Sequence, residues 1–150
     1  MAEAAKIPAR LEGRCLCGAV ALVVEGRHDG TVGVCHCSMC QRWSGGLFAC
    51  FRAEAAAVSV TGEVRRHRSS EIAERAFCPA CGSHLWMRDT AGDAPYDLMP
   101  GLFPALAAAP LGSEIYTDKA PAYLPLSGNH TRETEAEWQS RNSFVQGDTP

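Results

Sequence analysis

The sequence Cys35-His36-Cys37-Ser38-Met39-Cys40 places three thiols within six residues. A hydrophobic core does not need so many cysteines at one point of the chain. Three thiolates on a tight loop can occupy three corners of a zinc tetrahedron and leave the fourth corner open. Because an open corner distinguishes a catalytic zinc site from a structural one, this stretch predicts a catalytic metal site at residues 35–40.

The other cysteines form two further pairs and one isolated residue. The pairs are Cys15-Leu16-Cys17, with a glycine on either side, and Cys78-Pro79-Ala80-Cys81-Gly82, whereas Cys50 stands alone. Eight cysteines grouped in this way favour metal binding over a disulfide framework. Residues 1–10 contain no apolar stretch typical of a signal peptide, so we expect a cytoplasmic protein, in which disulfides are rare.

The pair at 78–81 supplies only two thiolates, so a closed tetrahedral site needs a second pair. The pair at 15–17 is the natural partner, and this predicts one structural zinc held by Cys15, Cys17, Cys78 and Cys81. We call these residues the four-cysteine cluster. A three-cysteine cluster then remains, consisting of Cys35, Cys37 and Cys40. In the alternative pairing, residues 35–40 share a metal with the pair at 78–81, and the pair at 15–17 is left without one.

Two residues near the three-cysteine cluster have more than one interpretation. Cys50 could complete the metal coordination, or it could pack on one face of the strand predicted at 47–51, which we favour. His36 could bind the metal or move a proton beside it. Its position between two predicted ligands favours instead a side chain that points away.

Composition narrows the range of functions. Of 150 residues, 46% are hydrophobic and 21% are charged, a balance typical of a single globular domain. The net charge of -3 provides no general basis for nucleic-acid binding. No run approaches the ~20 apolar residues that a membrane span needs. We therefore expect neither nucleic-acid nor membrane partners, and the sequence does not indicate an oligomeric state.

Short apolar segments separated by turn residues recur along the chain, which predicts a mainly β fold of antiparallel strands. A last edge strand is predicted at 114–117. The segment Thr134-Glu135-Ala136-Glu137 matches a capping box and predicts a short C-terminal helix carrying Trp138. We predict a flexible lead-in at 1–12, one zinc domain at 13–141 and a frayed tail at 142–150.

The order of the cysteine motifs resembles that of the glutathione-dependent formaldehyde-activating enzyme (GFA) family, which includes the centromere protein V relatives. The resemblance is carried by Gly13-Arg14-Cys15-Leu16-Cys17-Gly18, by residues 35–40 with Gly45, and by Phe77-Cys78-Pro79-Ala80-Cys81-Gly82. It implies twisted antiparallel sheets of the β-tent type. It also implies a structural zinc at the four-cysteine cluster and a more labile zinc at the three-cysteine cluster.

The resemblance further implies addition of glutathione to formaldehyde, which gives S-hydroxymethylglutathione. Two positions depart from the family pattern. Glu114 precedes Ile115-Tyr116 where the family often has histidine, and Tyr123 replaces a common tryptophan. The substrate pocket is therefore expected to differ from that of other members.

The predicted chemistry is that of a carbon-sulfur lyase. An open corner on Zn²⁺ can hold an external thiol as a thiolate, and attack on a small aldehyde then gives a hemithioacetal. Arg14, Arg42 and Arg52 are candidates for binding the carboxylates of a glutathione-like thiol. The alternatives are a zinc-stabilised protein-binding module without catalysis, and a redox sensor that uses Cys37 and Cys40. A missing fourth clustered cysteine favours the enzyme.

Overall fold

The computed structural model describes residues 7–143, which form two β-sheets and two short α-helices. In chain order the elements are β1 (Arg10–Arg14), β2 (Ala21–Glu25), β3 (Val32–Cys35), α1 (Ser38–Ser44), β4 (Phe48–Ala53), β5 (Val58–Thr61), β6 (Arg65–Arg68), β7 (Ala73–Phe77), β8 (His84–Asp89), β9 (Tyr96–Leu98), β10 (Leu111–Ile115), β11 (Thr131–Glu133) and α2 (Glu135–Gln139). The predicted mainly β fold with a short C-terminal helix is confirmed.

The two sheets differ in size and pairing. The small sheet has the strand order β1-β2-β5, and the large sheet has the order β11-β10-β3-β4-β9-β8-β7-β6. All pairs are antiparallel except those of β10, which runs parallel to both β3 and β11. The prediction of an edge strand at 114–117 is wrong, because the chain returns after this segment and adds β11 outside it.

The stretch that carries the three-cysteine cluster is not a continuous loop. Cys35 ends β3, between Ile115 of β10 and Phe48 of β4. Cys37 is the N-cap of α1, where its sulfur accepts a hydrogen bond from the Cys40 amide at 3.4 Å. A strand end and a helix start therefore fix the spacing of the three thiols.

Regular secondary structure extends into the segment that the sequence predicts as a flexible lead-in. Residues 10–12 fall within the predicted lead-in, yet they belong to β1 and pair with β2 from Arg10 opposite Glu25. Residues 1–6 and 144–150, which include most of the predicted tail, lie outside the described residues.

Buried apolar side chains form two clusters. The main core lies around Phe51, Trp86 and Phe103 and also includes Cys15 and Cys78. The second, smaller cluster is built around Cys37, Cys40, Phe48 and Tyr116. Each group of cysteines is therefore attached to its own hydrophobic cluster.

Helix α2 covers the second cluster. Its predicted capping box is present: the Thr134 hydroxyl accepts from the Glu137 amide at 3.2 Å, and the Glu137 carboxylate accepts from the Thr134 amide at 2.7 Å. The cap places Trp138 against Tyr116, with ring centroids 5.6 Å apart. Within residues 7–143, neither helix has the length and apolar character needed to cross a membrane.

Candidate metal centres

Two turns from distant parts of the chain bring together the thiols of the four-cysteine cluster, whose sulfur atoms all lie within 4.8 Å of one another. The sulfur of Cys17 is 3.6 Å from that of Cys15 and 3.8 Å from that of Cys78. A tetrahedral zinc with sulfur ligands at ~2.3 Å requires sulfur–sulfur distances of about 3.8 Å. These thiols therefore fit a zinc ion with little rearrangement.

Both turns of the four-cysteine cluster depend on a glycine that follows the second cysteine. Gly18 and Gly82 have φ angles of 81° and 76°, in a region that other residues rarely adopt. Their amides donate back to the carbonyls of Cys15 and Cys78, at 3.1 and 2.8 Å. The two turns thus present their thiols by a similar backbone arrangement.

Ser83 links the two turns. Its hydroxyl accepts from the Leu16 amide at 3.0 Å and lies 3.2 Å from the sulfur of Cys81. The hydrogen bond from Ser83 is the main cause that lowers the pKa of Cys81 to about 5. The Ser83 side chain therefore favours the thiolate form that a metal requires.

The sulfur atoms of Cys35, Cys37 and Cys40 also lie within 4.8 Å of one another. Within residues 7–143, no fourth cysteine, histidine, aspartate or glutamate joins this group. Three sulfurs from a strand end, a helix cap and the first helical turn suit a zinc ion that keeps one position for another ligand.

The pKa values of the three thiols are shifted in different directions. Hydrogen bonds from the thiols of Cys35 and Cys40 lower the pKa of Cys37 to about 3. The pKa of Cys35 is raised well above its usual value, because hydrogen bonds to Cys37 and Cys40 favour its protonated form. Cys37 is thus the thiol that loses its proton most readily, and a metal ion bound by the cluster would displace the thiol protons.

Arg75 is the cation nearest to the three-cysteine cluster. Its side chain is buried, and its Nη2 donates to the sulfur of Cys40 at 3.5 Å. The guanidinium also lies over the rings of Trp43 and Phe48, at 5.9 and 5.4 Å. The sequence alone does not single out this residue. The available signal was its place in β7 between Ala73 and Phe77, where an alternating strand puts an arginine on an apolar face.

A cavity of about 650 Å³ lies beside the three-cysteine cluster. Four residues of β4 line it, namely Phe48, Cys50, Phe51 and Arg52. Three of these, Phe48, Cys50 and Arg52, alternate along the strand and therefore share one of its faces. Its lining also includes Tyr116 and Trp138. The cavity brings the open side of the cluster together with polar and aromatic groups, a combination typical of small-molecule sites.

The three predicted arginines lie in different places. Arg52 lines the cavity, but its guanidinium forms two hydrogen bonds with the Asp97 carboxylate, at 2.9 and 3.0 Å. Arg14 and Arg42 have exposed side chains and do not line the cavity. The structure thus brings one of the three to the cavity.

Tyr116 adopts an unusual backbone conformation at the cavity wall. It is the one non-glycine residue with positive φ within the described chain, at φ 57° and ψ 42°. Such a conformation costs roughly 1–2 kcal/mol and is frequent at functional sites. Burial raises the pKa of its phenol to about 12, so the group stays protonated at neutral pH. The Gln139 side chain donates to its oxygen at 3.0 Å.

His36 does not take part in either thiol cluster. Its side chain is buried, and its Nε2 is 2.7 Å from one carboxylate oxygen of Glu114. The other oxygen of Glu114 is 2.7 Å from Nε2 of His130, and Arg132 lies 3.5 Å away. Glu114 thus links His36, which lies between Cys35 and Cys37, to His130 and Arg132 at β11. Glu114 is the residue that departs from the family pattern, and in the structure it is the centre of a buried histidine–carboxylate–histidine network.

Cys50 lines the cavity, but its sulfur lies outside the group formed by the three thiols. Burial raises the pKa of its thiol, which disfavours the thiolate form. All eight cysteines are free of disulfide bonds. The geometry thus provides the three-cysteine cluster with no fourth sulfur from this chain.

Comparisons with known proteins agree with the motif pattern. The sequence model of the glutathione-dependent formaldehyde-activating enzyme family matches residues 10–119. An uncharacterized lyase of Schizosaccharomyces pombe is 32% identical over 113 residues, or 73% of this chain and 80% of that protein. A Halomonas elongata protein, provisionally named as a glutathione-dependent formaldehyde-activating enzyme, is 34% identical over 88 residues, or 53% of this chain and 56% of that protein.

One solved structure supports the fold. A crystal structure of a Rhodobacter sphaeroides protein matches with a TM-score of 0.53 and 22% sequence identity, and the match covers 62% of this chain and 87% of that chain.

The two clusters are expected to differ in their effect on folding. Structural zinc contributes on the order of 10 kcal/mol to the folding of small zinc domains. Cys78→Ala should therefore give unfolded or insoluble protein, whereas Cys37→Ala should fold and lose about one zinc per chain. Cys50→Ala, which changes another cavity cysteine, serves as the control and should keep its full zinc content. Zinc analysis and thermal unfolding measure both effects, and a cooperatively melting Cys78→Ala protein with all its metal would contradict the assignment.

Removal of the Glu114 carboxylate should destabilise the fold. Glu114→Ala leaves two buried histidines without their acceptor, so we expect a loss of about 2 to 4 kcal/mol in the free energy of unfolding. Glu114→Gln keeps the shape and one acceptor oxygen and should lose less. Denaturant unfolding at saturating zinc measures both variants, with the exposed Glu12→Ala as control.

The effect of Glu114 should also depend on pH. Burial alone raises the pKa of this carboxyl, but hydrogen bonds from His130 and His36 outweigh burial and lower it below the usual 4.5. A lowered folded-state pKa stabilises the protein above the usual value, and the benefit disappears as the pH falls through the lowered value. The difference between wild type and Glu114→Ala should thus be constant near neutrality and shrink below pH 4.5. A difference that grows on acidification would contradict this role.

Proposed function

We propose, given that this chain belongs to the glutathione-dependent formaldehyde-activating enzyme family, that it is a zinc-dependent carbon-sulfur lyase. In the synthetic direction it would join a glutathione-like thiol to a small aldehyde such as formaldehyde. The names of the Schizosaccharomyces pombe and Halomonas elongata relatives are consistent with this class of enzyme. The proposal concerns the three-cysteine cluster and its cavity, and the four-cysteine cluster is assigned a structural zinc.

The observation that carries the proposal is the open side of the three-cysteine cluster. Its three sulfurs border a cavity of about 650 Å³, and within residues 7–143 no fourth protein ligand completes the group. A metal held only to stabilise the fold is normally enclosed by four protein ligands. Three ligands beside a cavity are the arrangement of a metal that also binds substrate.

The size of the cavity favours two substrates rather than one. Pockets for drug-sized ligands usually have volumes of ~300 to 1,000 Å³, and formaldehyde has only two heavy atoms. The cavity therefore has room for a peptide-like thiol together with the aldehyde. Three arginines line it, namely Arg52, Arg75 and Arg141. We assign the carboxylates of such a thiol to Arg52 and Arg141, whose side chains are more than half exposed and are already paired with Asp97 and Glu133, respectively.

The proposed reaction forms one carbon–sulfur bond. A zinc ion bound by Cys35, Cys37 and Cys40 would lower the pKa of the incoming thiol and present it as a thiolate nucleophile. The carbon–sulfur bond would form as the π bond of the carbonyl group breaks. The proton of the thiol would pass to solvent, and the carbonyl oxygen would take up one proton from a group of the protein that regains it from solvent. The product is a hemithioacetal, and the reverse sequence releases the aldehyde and the thiol.

We assign the proton donation to Tyr116. This residue lines the cavity and belongs to the same hydrophobic cluster as Cys37 and Cys40. Its pKa of about 12 keeps the phenol protonated at neutral pH. Gln139 donates to the phenol oxygen at 3.0 Å and so orients the hydroxyl group. Protonation of the carbonyl oxygen at the moment of attack avoids a free alkoxide in an apolar site.

The first test is binding of the thiol to the metal. Because glutathione loses its proton when it becomes a zinc ligand, its binding to the zinc-loaded protein near neutral pH should release one proton per site. Calorimetry in two buffers of different ionisation enthalpy measures that proton. Oxidised glutathione has no thiol and is the control ligand, and Cys37→Ala and Cys50→Ala are the test and control variants. Equal binding of both forms of glutathione, or binding without proton release, would refute the proposed function.

The second test concerns Tyr116. Tyr116→Phe keeps the aromatic ring but removes the donor, so the rate of hemithioacetal formation should fall about 100-fold, a typical effect for a general acid. Exchange spectroscopy by NMR, corrected for the uncatalysed reaction, measures this rate. Tyr123→Phe changes an exposed tyrosine and is the matched control. Zinc content and glutathione binding should stay unchanged in both variants, and an undiminished rate in Tyr116→Phe would exclude the phenol as the donor.

A further inference from the structure

Arg75 is a buried cation without a carboxylate partner. Only 2% of its surface is exposed, and within residues 7–143 its guanidinium forms no ion pair with aspartate or glutamate. One of its nitrogens, Nη1, has no hydrogen-bond partner in that part of the chain. Burial of an unpaired charge is strongly unfavourable. The position of Arg75 therefore requires a negative charge nearby, and the three-cysteine cluster is the group it contacts.

Helix α1 holds Arg75 against the cluster. The residues Cys40 and Trp43 lie three positions apart on α1, so they share one face of the helix. The guanidinium donates to the sulfur of Cys40 at 3.5 Å and lies over the Trp43 ring at 5.9 Å. Phe48 adds a second ring at 5.4 Å. Aromatic faces attract a cation but carry no net charge, so these contacts fix Arg75 without neutralising it.

The charges at the site explain what Arg75 compensates. Three thiolates around a divalent metal ion sum to a charge of about −1, and Arg75 brings the sum to zero. An incoming thiolate adds another negative charge. In surroundings of low dielectric constant, that addition is much less unfavourable when a fixed positive charge is already present.

We propose that Arg75 is a positioning residue whose charge lets the three-cysteine cluster accept an anionic fourth ligand. This inference rests on the proposed function, because the relevant fourth ligand there is a substrate thiolate. Arg75 acts on the ligand through the metal–thiolate group. It should therefore influence anionic ligands strongly and neutral ligands weakly. Arginine suits this role because its charge does not titrate in proteins.

The test compares anionic and neutral ligands on the cobalt-loaded protein at pH 8. Ligand-induced difference spectra in the visible range report the fourth position of the three-cysteine cluster, since the four-cysteine cluster gives a constant background. The probes are 2-mercaptoethanol and azide, which bind as anions, and imidazole, which binds as a neutral molecule. The variants are Arg75→Met, which removes the charge at similar length, and Arg75→Lys, which keeps the charge.

We expect the dissociation constants of Arg75→Met for 2-mercaptoethanol and azide to rise about 100-fold, the effect of one unit charge at about 6 Å with an effective dielectric constant near 20. The dissociation constant for imidazole should change no more than about threefold, since a neutral ligand lacks that Coulomb term. Arg75→Lys should bind the anions within about tenfold of wild type. If Arg75→Met does not fold, Arg75→Gln removes the charge while keeping a donor for Cys40.

Each other outcome overturns a defined part of the argument. Equal weakening for all three ligands, or loss of cobalt from the three-cysteine cluster, would mean that Arg75 only shapes the site. Unchanged binding of the anions would refute the role of its charge and leave the proposed function standing. Failure of wild type to bind 2-mercaptoethanol, combined with selective loss of azide binding in Arg75→Met, would refute the proposed function and support the charge role.

Discussion

The convergence of four sulfurs at the junction of the two sheets is the constraint on which the rest of the structure depends. One turn follows β1 of the small sheet, and the other follows β7 of the large sheet. Cys17 and Cys78 are 61 residues apart in sequence and 3.8 Å apart in space. A crosslink that closes a loop of this length reduces the entropy of the unfolded chain by the equivalent of about 4 kcal/mol. Few strands of one sheet follow directly on strands of the other in the sequence. A metal bridge there would thus offset part of the entropic cost of bringing the two sheets together.

The three-cysteine cluster is organised differently, because its sulfurs are also part of a hydrophobic cluster. Cys37 and Cys40 pack with Phe48 and Tyr116, so the side chains that could hold a metal ion also take part in packing. The network around Glu114 lies on the other face of β10, since the neighbouring Ser113 and Ile115 line the cavity. The strand end that presents Cys35 is therefore held by packing on one side and by charged hydrogen bonds on the other. Such two-sided support keeps a site with an open position in a fixed shape.

The parts of the molecule that the sequence predicts well are those with local signals. The grouping of the cysteines follows from their spacing, and the cap of α2 follows from Thr134 and Glu137, because both patterns act within a few residues. The parallel pairing of β10 has no such signal, since a strand's own residues do not identify its neighbour. Arg75 and the pair formed by His36 and Glu114 are likewise products of tertiary contacts. The start of α1 has no periodic signal in the sequence, because a helix of seven residues is set by its Cys37 cap and its packing.

Helix α2 has a consequence for how such a site can diverge during evolution. The match to the family ends at residue 119, yet Trp138 and Arg141 line the cavity beside the three-cysteine cluster. The cavity wall therefore lies partly on a segment outside the region that the family model matches. Mutations there can reshape the cavity without disturbing any of the seven clustered cysteines. One inherited cysteine framework can in this way be combined with differently shaped cavities, through changes confined to the segment after residue 119.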